Sequence, residues 1–233
     1  MKRCTYANRY KRLPEERCGI NLSQNEQLTT EFMKMGEEVK NIVKRSLNAL
    51  VKKDAQEALD IISYDDIIDN QLIVVEDKAT QILADRNPTG QELRRCLSML
   101  KIAISLERIA DLATNIAERT LEMKNEEFIK PLIHIPKLAE LAVNMLDVSL
   151  KAYVENNPDL AEAVCKKDEE ADNLYDELYQ ELMGIMTKAE ELSFTRQAIL
   201  LLLIGGYFER IADYATNIGE EAILINTGKR VKF

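Results

Sequence analysis

ERIADLATNIAE, residues 107–118, returns as ERIADYATNIGE at residues 209–220. Only two of the twelve positions differ, Leu112 against Tyr214 and Ala117 against Gly219. A match this long is the mark of an internal duplication. It extends outward at an offset of 103, where Ser46-Leu47 falls on Ser149-Leu150, Ala49 on Ala152 and Val51 on Val154. Asp65 then falls on Asp168, and Asp69-Asn70 on Asp172-Asn173. The signature itself sits at an offset of 102, so one turn is a residue shorter in the second half.

Each half reads as three helices. The first spans about Gln24 to Lys53. The second spans Asp54, an N-cap, to Asp85. After the break at Asn87-Pro88-Thr89-Gly90, the third runs to Lys124. In the second half, Pro131 and Pro136 bracket the start of helix four, and Asn157-Pro158 caps and opens helix five. Ser193 is the expected N-cap of helix six, which stops near Asn226-Thr227-Gly228. The expectation is an all-α fold of six long helices, two three-helix bundles in tandem. It divides the chain into an irregular basic segment (1–23), repeat one (24–125) and repeat two (126–233).

Composition agrees with helix. Of 233 residues, 46% are hydrophobic and 30% charged, with only eight Gly, five Pro and no Trp. The net charge of −9 opposes nucleic acid and anionic lipid, although residues 1–17 gather Lys2, Arg3, Arg9, Lys11, Arg12 and Arg17. Cys4, Cys18, Cys96 and Cys165 form no Cys-x-x-Cys pair and His134 is the only histidine, which argues against a thiolate zinc site or a disulfide framework. No apolar signal region opens the chain. The longest apolar run, Ala198 to Phe208, is too short for the roughly 20 residues a bilayer needs and reads as a buried helix segment.

The acids nominate the chemistry. On helix three, Ile102, Ile109, Leu112 and Ile116 share a core-facing side, while Glu107, Asp111, Asn115 and Glu118 form a stripe opposite. Helix six repeats the stripe as Glu209, Asp213, Asn217 and Glu220. Helices two and five carry acid-x-x-x-Asp pairs, Asp65 with Asp69 and Asp168 with Asp172, so neighbouring helices bring four carboxylates together in each half. Gathered carboxylates bind cations, rise in pKa or stay in water. A solvated acidic face and a metal site both fit the stripes; hard oxygens without His or Cys suit Fe(III), Mn, Mg or Ca. A ferritin-like di-iron site would need Glu-x-x-His motifs, which a single histidine denies. Arg108 and Arg210 read first as salt-bridge partners of neighbouring acids, with pairing to an anionic partner as the alternative. Gly205-Gly206 reads as a place of close helix packing, and the chain has no Gly-rich phosphate loop, nucleophile elbow or catalytic triad.

This pattern resembles the PhoU family over about residues 24 to 226. The family string similar to Glu-Arg-Ile-Gly-Asp-His-Ala-x-Asn-Ile-Ala-Glu matches Glu107–Glu118 and Glu209–Glu220, with Ala110, Leu112, Ala212 and Tyr214 replacing the usual Gly and His. Arg86 to Arg94 approximates the family's Arg-Gln-Pro turn. The resemblance implies a cytoplasmic, non-enzymatic, homodimeric regulator of phosphate transport and phosphate-starvation signalling. Its implied partners are the ATPase of a phosphate ABC transporter and a membrane sensor histidine kinase, with membrane contact only through them. It also implies multinuclear metal, iron first, with zinc, manganese or magnesium as alternatives. The implied ligands are Asp65, Asp69, Glu107, Asp111, Asp168, Asp172, Glu209 and Asp213, with Asn115, Glu118, Asn217 and Glu220 in support. Two other readings stand beside it: a metal-dependent carboxylate-bundle enzyme or metal-storage protein, and the PhoU-like cytoplasmic tail of a sodium–phosphate cotransporter.

Overall fold

The computed structural model describes residues 23–233, so the basic segment 1–22 lies outside the described residues. Eight helical segments make six rods. In repeat one they are α1 (Gln24–Lys52), the broken pair α2 (Ala55–Ser63) and α3 (Asp65–Arg86), and α4 (Gly90–Met123). In repeat two they are α5 (His134–Val154), the broken pair α6 (Pro158–Cys165) and α7 (Asp168–Met186), and α8 (Leu192–Thr227).

The helix ends follow local chemistry. Ser23 and Glu26 form a capping box on α1. Asp54 accepts from the Gln56 and Glu57 amides to start α2, and Asn157 accepts from Leu160 with Pro158 in the first turn of α6. Lys53, Asn87 and Gly228 close α1, α3 and α8 in the left-handed region.

Two expectations are corrected. The second and fifth helices are not continuous. Tyr64 donates back to Ile61 and Lys167 to Val164, three-residue closures that tighten the chain for one turn and interrupt the helix. The break falls at repeat-equivalent positions and makes Asp65 and Asp168 the first residues of α3 and α7. Helix six starts at Leu192 with Glu191 as N-cap, and the Ser193 hydroxyl binds the Glu191 carboxylate rather than a backbone amide.

Side-chain bridges give the helix directions. Gln24 meets Arg86 and Glu38 meets Gln71, so α1 and α3 are antiparallel. Asn25 meets Glu92 while Lys53 reaches Glu126, so α1 and the α4 rod run parallel. Each repeat is thus an up-down-up bundle, with α4 and α8 as the third rods. The repeats join along two antiparallel seams. On the first, between α1 and α5, the Phe32 and Tyr153 ring centroids lie 5.3 Å apart and Lys40 pairs with Asp147 at 2.5 Å. On the second, between α4 and α8, Glu221 holds Ser98 at 2.6 Å and Lys101 at 2.7 Å, while Arg196 near the other end of α8 pairs with Glu126.

One core runs through both repeats. Ile102, Ile109, Leu112 and Ile116 are all buried in it, as the helical period requires. Of the apolar run Ala198–Phe208, Ala198, Leu200, Leu201, Ile204, Gly205 and Phe208 are buried, while Ile199 and Leu203 reach the surface. Among the described residues, no helix is long and apolar enough to cross a membrane.

Candidate functional site

The duplicated acids occupy the boundary between the second and third rods of each repeat. Glu107, Asp111, Glu209 and Asp213 are half-buried on α4 and α8. The kinks supply Asp65 and Asp168, also half-buried, and one turn on the exposed Asp69 and Asp172.

In repeat two the acids converge. Asp172, Glu209 and Asp213 each offer an oxygen, and the three lie within 4.8 Å of one another. Among the described residues, no other set of three His, Cys, Asp or Glu side chains does so. Among the described residues none of the three forms an ion pair; the neighbouring Arg210 makes none either and offsets Glu209 and Asp213 only from a distance. Burial, then repulsion from Asp213 and from Asp172, pushes Glu209 up to about 7. Burial, then Asp168 and Asp172, pushes Asp213 up to about 6. Burial also raises Asp168, against a hydrogen bond from the Thr216 hydroxyl at 3.1 Å that favours its charged form.

Close helix packing makes this convergence possible. A Cβ placed on Gly205 would lie 2.3 Å from Cδ2 of Leu178, and one on Gly206 would lie 3.5 Å from the Tyr175 hydroxyl. α7 therefore sits against the backbone of α8 one turn from Glu209. Leu178 is itself buried and has little room to yield. Gly205→Ala is expected to destabilise the protein by about 1–3 kcal/mol through overpacking. Chemical denaturation checks this, and an unchanged midpoint would contradict the packing argument.

Repeat one differs. Arg108 lies 3.4 Å from Glu107 and 3.3 Å from Asp111, a local counter-ion for both. Burial raises Glu107, as do Asp111 and more weakly Asp69 and Asp65, while Arg108 lowers it. Asp65 is raised by burial and then by Asp111 and Asp69.

The supporting residues are engaged elsewhere. Asn115 donates to the Asp111 carbonyl of its own helix, Glu118 pairs with Arg119 at 3.0 Å, and Glu220 accepts from the Phe233 amide. Asn217 is exposed. His134 stands apart from the acids, between Glu181 at 2.9 Å and Glu177 at 3.4 Å. Cys96 and Cys165 are buried free thiols. Sequence reasoning passed over Thr216 and Tyr175. Thr216 was findable, since the repeated Ala-Thr-Asn-Ile carries a threonine on the flank of the stripe; nothing in the sequence singles out Tyr175.

Three convergent carboxylates at the edge of solvent, with negative charge that no ion pair among the described residues balances, make a donor set that fits a hard cation. Such an ion would be held by Asp172, Glu209 and Asp213, and would relieve the repulsion that raises the last two.

Comparison with known proteins agrees with this architecture. The PhoU domain model matches twice, at residues 32–120 and 135–222. The chain is 35% identical over 210 residues to the phosphate-specific transport system accessory protein PhoU homolog of Clostridium acetobutylicum, covering 90% of this chain and 95% of that protein. It is 30% identical over 200 residues to PhoU homolog 2 of Thermotoga maritima, covering 86% and 84%. The crystal structure of PhoU from Pseudomonas aeruginosa superposes with a TM-score of 0.84 at 27% identity, over 88% of this chain and 98% of that one. That of the phosphate transport system regulatory protein PhoU from Streptococcus pneumoniae gives 0.82 at 28% identity, over 89% and 97%. With two matched domains spanning most of its length, the chain belongs to the PhoU family.

Proposed function

We propose that this protein regulates phosphate transport and phosphate-starvation signalling, and does so by contact with other proteins rather than by catalysis. The observation that carries the reading is the pair of PhoU domains, in a chain that aligns over most of its length with relatives named for the phosphate-specific transport system. The partners are the ATPase of a phosphate transporter and a membrane sensor kinase, met by a cytoplasmic homodimer. The carboxylate clusters bind cations, iron foremost with zinc, manganese or magnesium as alternatives, at Asp172, Glu209 and Asp213 and at their repeat-one counterparts Asp69, Glu107 and Asp111. Asp65 and Asp168 stand beside each set. The local geometry of the second-repeat cluster supports this role: three acids are gathered there with no ion pair among the described residues, an arrangement that an arriving cation would relieve.

Deleting the gene under phosphate-replete conditions is expected to raise phosphate uptake and to switch on phosphate-responsive transcription, both restored by the wild-type gene. Uptake and transcription unchanged by the deletion would refute the regulatory role. Affinity capture of the purified protein with the transporter ATPase tests the contact directly.

A further inference from the structure

We infer that the two repeats are inequivalent toward cations: the second loads first, and Arg108 is the first repeat's built-in counter-ion. The inference rests on the cation-binding reading above and concerns only how this chain's residues divide that role.

Three differences at repeat-equivalent positions carry it. First, Arg108 lies within ion-pairing distance of both Glu107 and Asp111, whereas among the described residues its counterpart Arg210 forms no ion pair. With the same three acids counted in each repeat, Asp69, Glu107 and Asp111 beside Arg108 keep a net charge of about −2 when ionised, while Asp172, Glu209 and Asp213, which Arg210 reaches only at longer range, keep about −3. Second, among the described residues three ligand oxygens converge within 4.8 Å only in repeat two. Gly205-Gly206 permits the approach of α7 there, while Ala103-Ile104 stands at those positions in repeat one. Third, Thr216 fixes Asp168 at 3.1 Å, while its counterpart Thr114 makes no side-chain hydrogen bond among the described residues. Affinity for a hard cation follows the number of charged ligands and how far they are pre-placed, and all three differences favour repeat two.

Arg108 is more than half exposed, its side chain at 56%. It is a weak competitor, able to swing away when a cation of higher charge arrives. Its removal is therefore expected to tighten repeat one by about two- to five-fold, the range of an exposed ion pair. The gap between the repeats is larger, about tenfold or more, because ligand count and pre-placement add to it.

The test is a manganese(II) titration of the full chain read by the electron paramagnetic resonance of the free ion. The parent is expected to show a tight and a weak class of site. Asp172→Asn removes the tight class; because Asp172 is exposed, this variant folds even if Asp213→Asn does not. Asp111→Asn leaves the tight class in place, and Arg108→Gln tightens the weak one. Circular dichroism confirms helix content in each. Identical sites in the parent, or loss of the tight class in Asp111→Asn but not in Asp172→Asn, overturns the inequivalence and leaves cation binding standing. An Arg108→Gln titration equal to the parent removes Arg108 from its role. No retention of manganese(II), iron(II) or zinc by the parent sinks the cation reading, and the inference with it.

Discussion

Phe32→Ala is expected to lower stability by about 3–5 kcal/mol, the usual cost of deleting a buried aromatic ring and leaving its space. Phe32 is 0% exposed and its ring packs tilted at 49° against Tyr153 across the α1–α5 seam. Tyr153 is itself 1% exposed and spends its hydroxyl on the Arg95 carbonyl at 3.0 Å, which anchors the seam to α4. The ring therefore has neighbours in both repeats, and a cavity there weakens three helices together. For a chain of this length each kcal/mol moves the melting temperature by about 2–4 °C, so a fall of about 10 °C is expected. Thermal unfolding followed by circular dichroism measures it, with Phe32→Leu recovering much of the loss. A fall of under about 3 °C would mean the site collapses around the deletion, against the tight packing described.

The second large effect changes sign with metal. Glu209 and Asp213 sit at about 7 and about 6 in the folded protein, above ordinary carboxylate values. A raised carboxylate binds protons more tightly folded than unfolded. Stability of the metal-free protein is then greatest at low pH, as far as these groups are concerned, and falls as pH rises from about 4 through 6 and 7. Asp213→Asn removes one charge and the repulsion on Glu209. At pH 7.5 without metal it is expected to stabilise the protein by about 1 kcal/mol, after allowing for solvent screening at a half-buried site. The gain should vanish near pH 4, where the acids are protonated in both proteins. With a divalent ion the order reverses. A ligand at a hundred times its dissociation constant stabilises the parent by about 2.7 kcal/mol, and the variant with its incomplete triad gains little. Melting curves of both proteins at two pH values, each with and without metal, give the result. A variant less stable than the parent in chelator at pH 7.5 would show that Asp213 is held by contacts favouring its charge, contrary to the arrangement here.

The duplication carried most of the fold, because a repeated helical period constrains both halves at once. The core stripe of Ile102, Ile109, Leu112 and Ile116 needed only the geometry of a helix. Caps at Asp54 and Asn157 were legible because a side-chain oxygen three residues before a free amide is a local event. The breaks at Tyr64 and Lys167 were not, since neither residue is a helix breaker and no Pro or Gly stands beside either one. The acids were legible as stripes, but not their inequality. The difference turns on which way Arg108 and Arg210 point and on how closely α7 nears α8, and both depend on neighbours far along the chain.

The two antiparallel seams have the geometry of a twofold axis, as in a dimer of identical halves whose partners share one patch. In such a dimer every contact off the axis occurs twice, so a charge that helps once must also fit at its mirror position. Fusion into one chain lifts that condition. Lys40 pairs with Asp147 on the first seam, while the repeat-related positions hold Lys44 and Val143, which have no such pair to make. Each half is thus free to take substitutions that a symmetric assembly would have to accept in duplicate, and one half can specialise while the other preserves the shared scaffold.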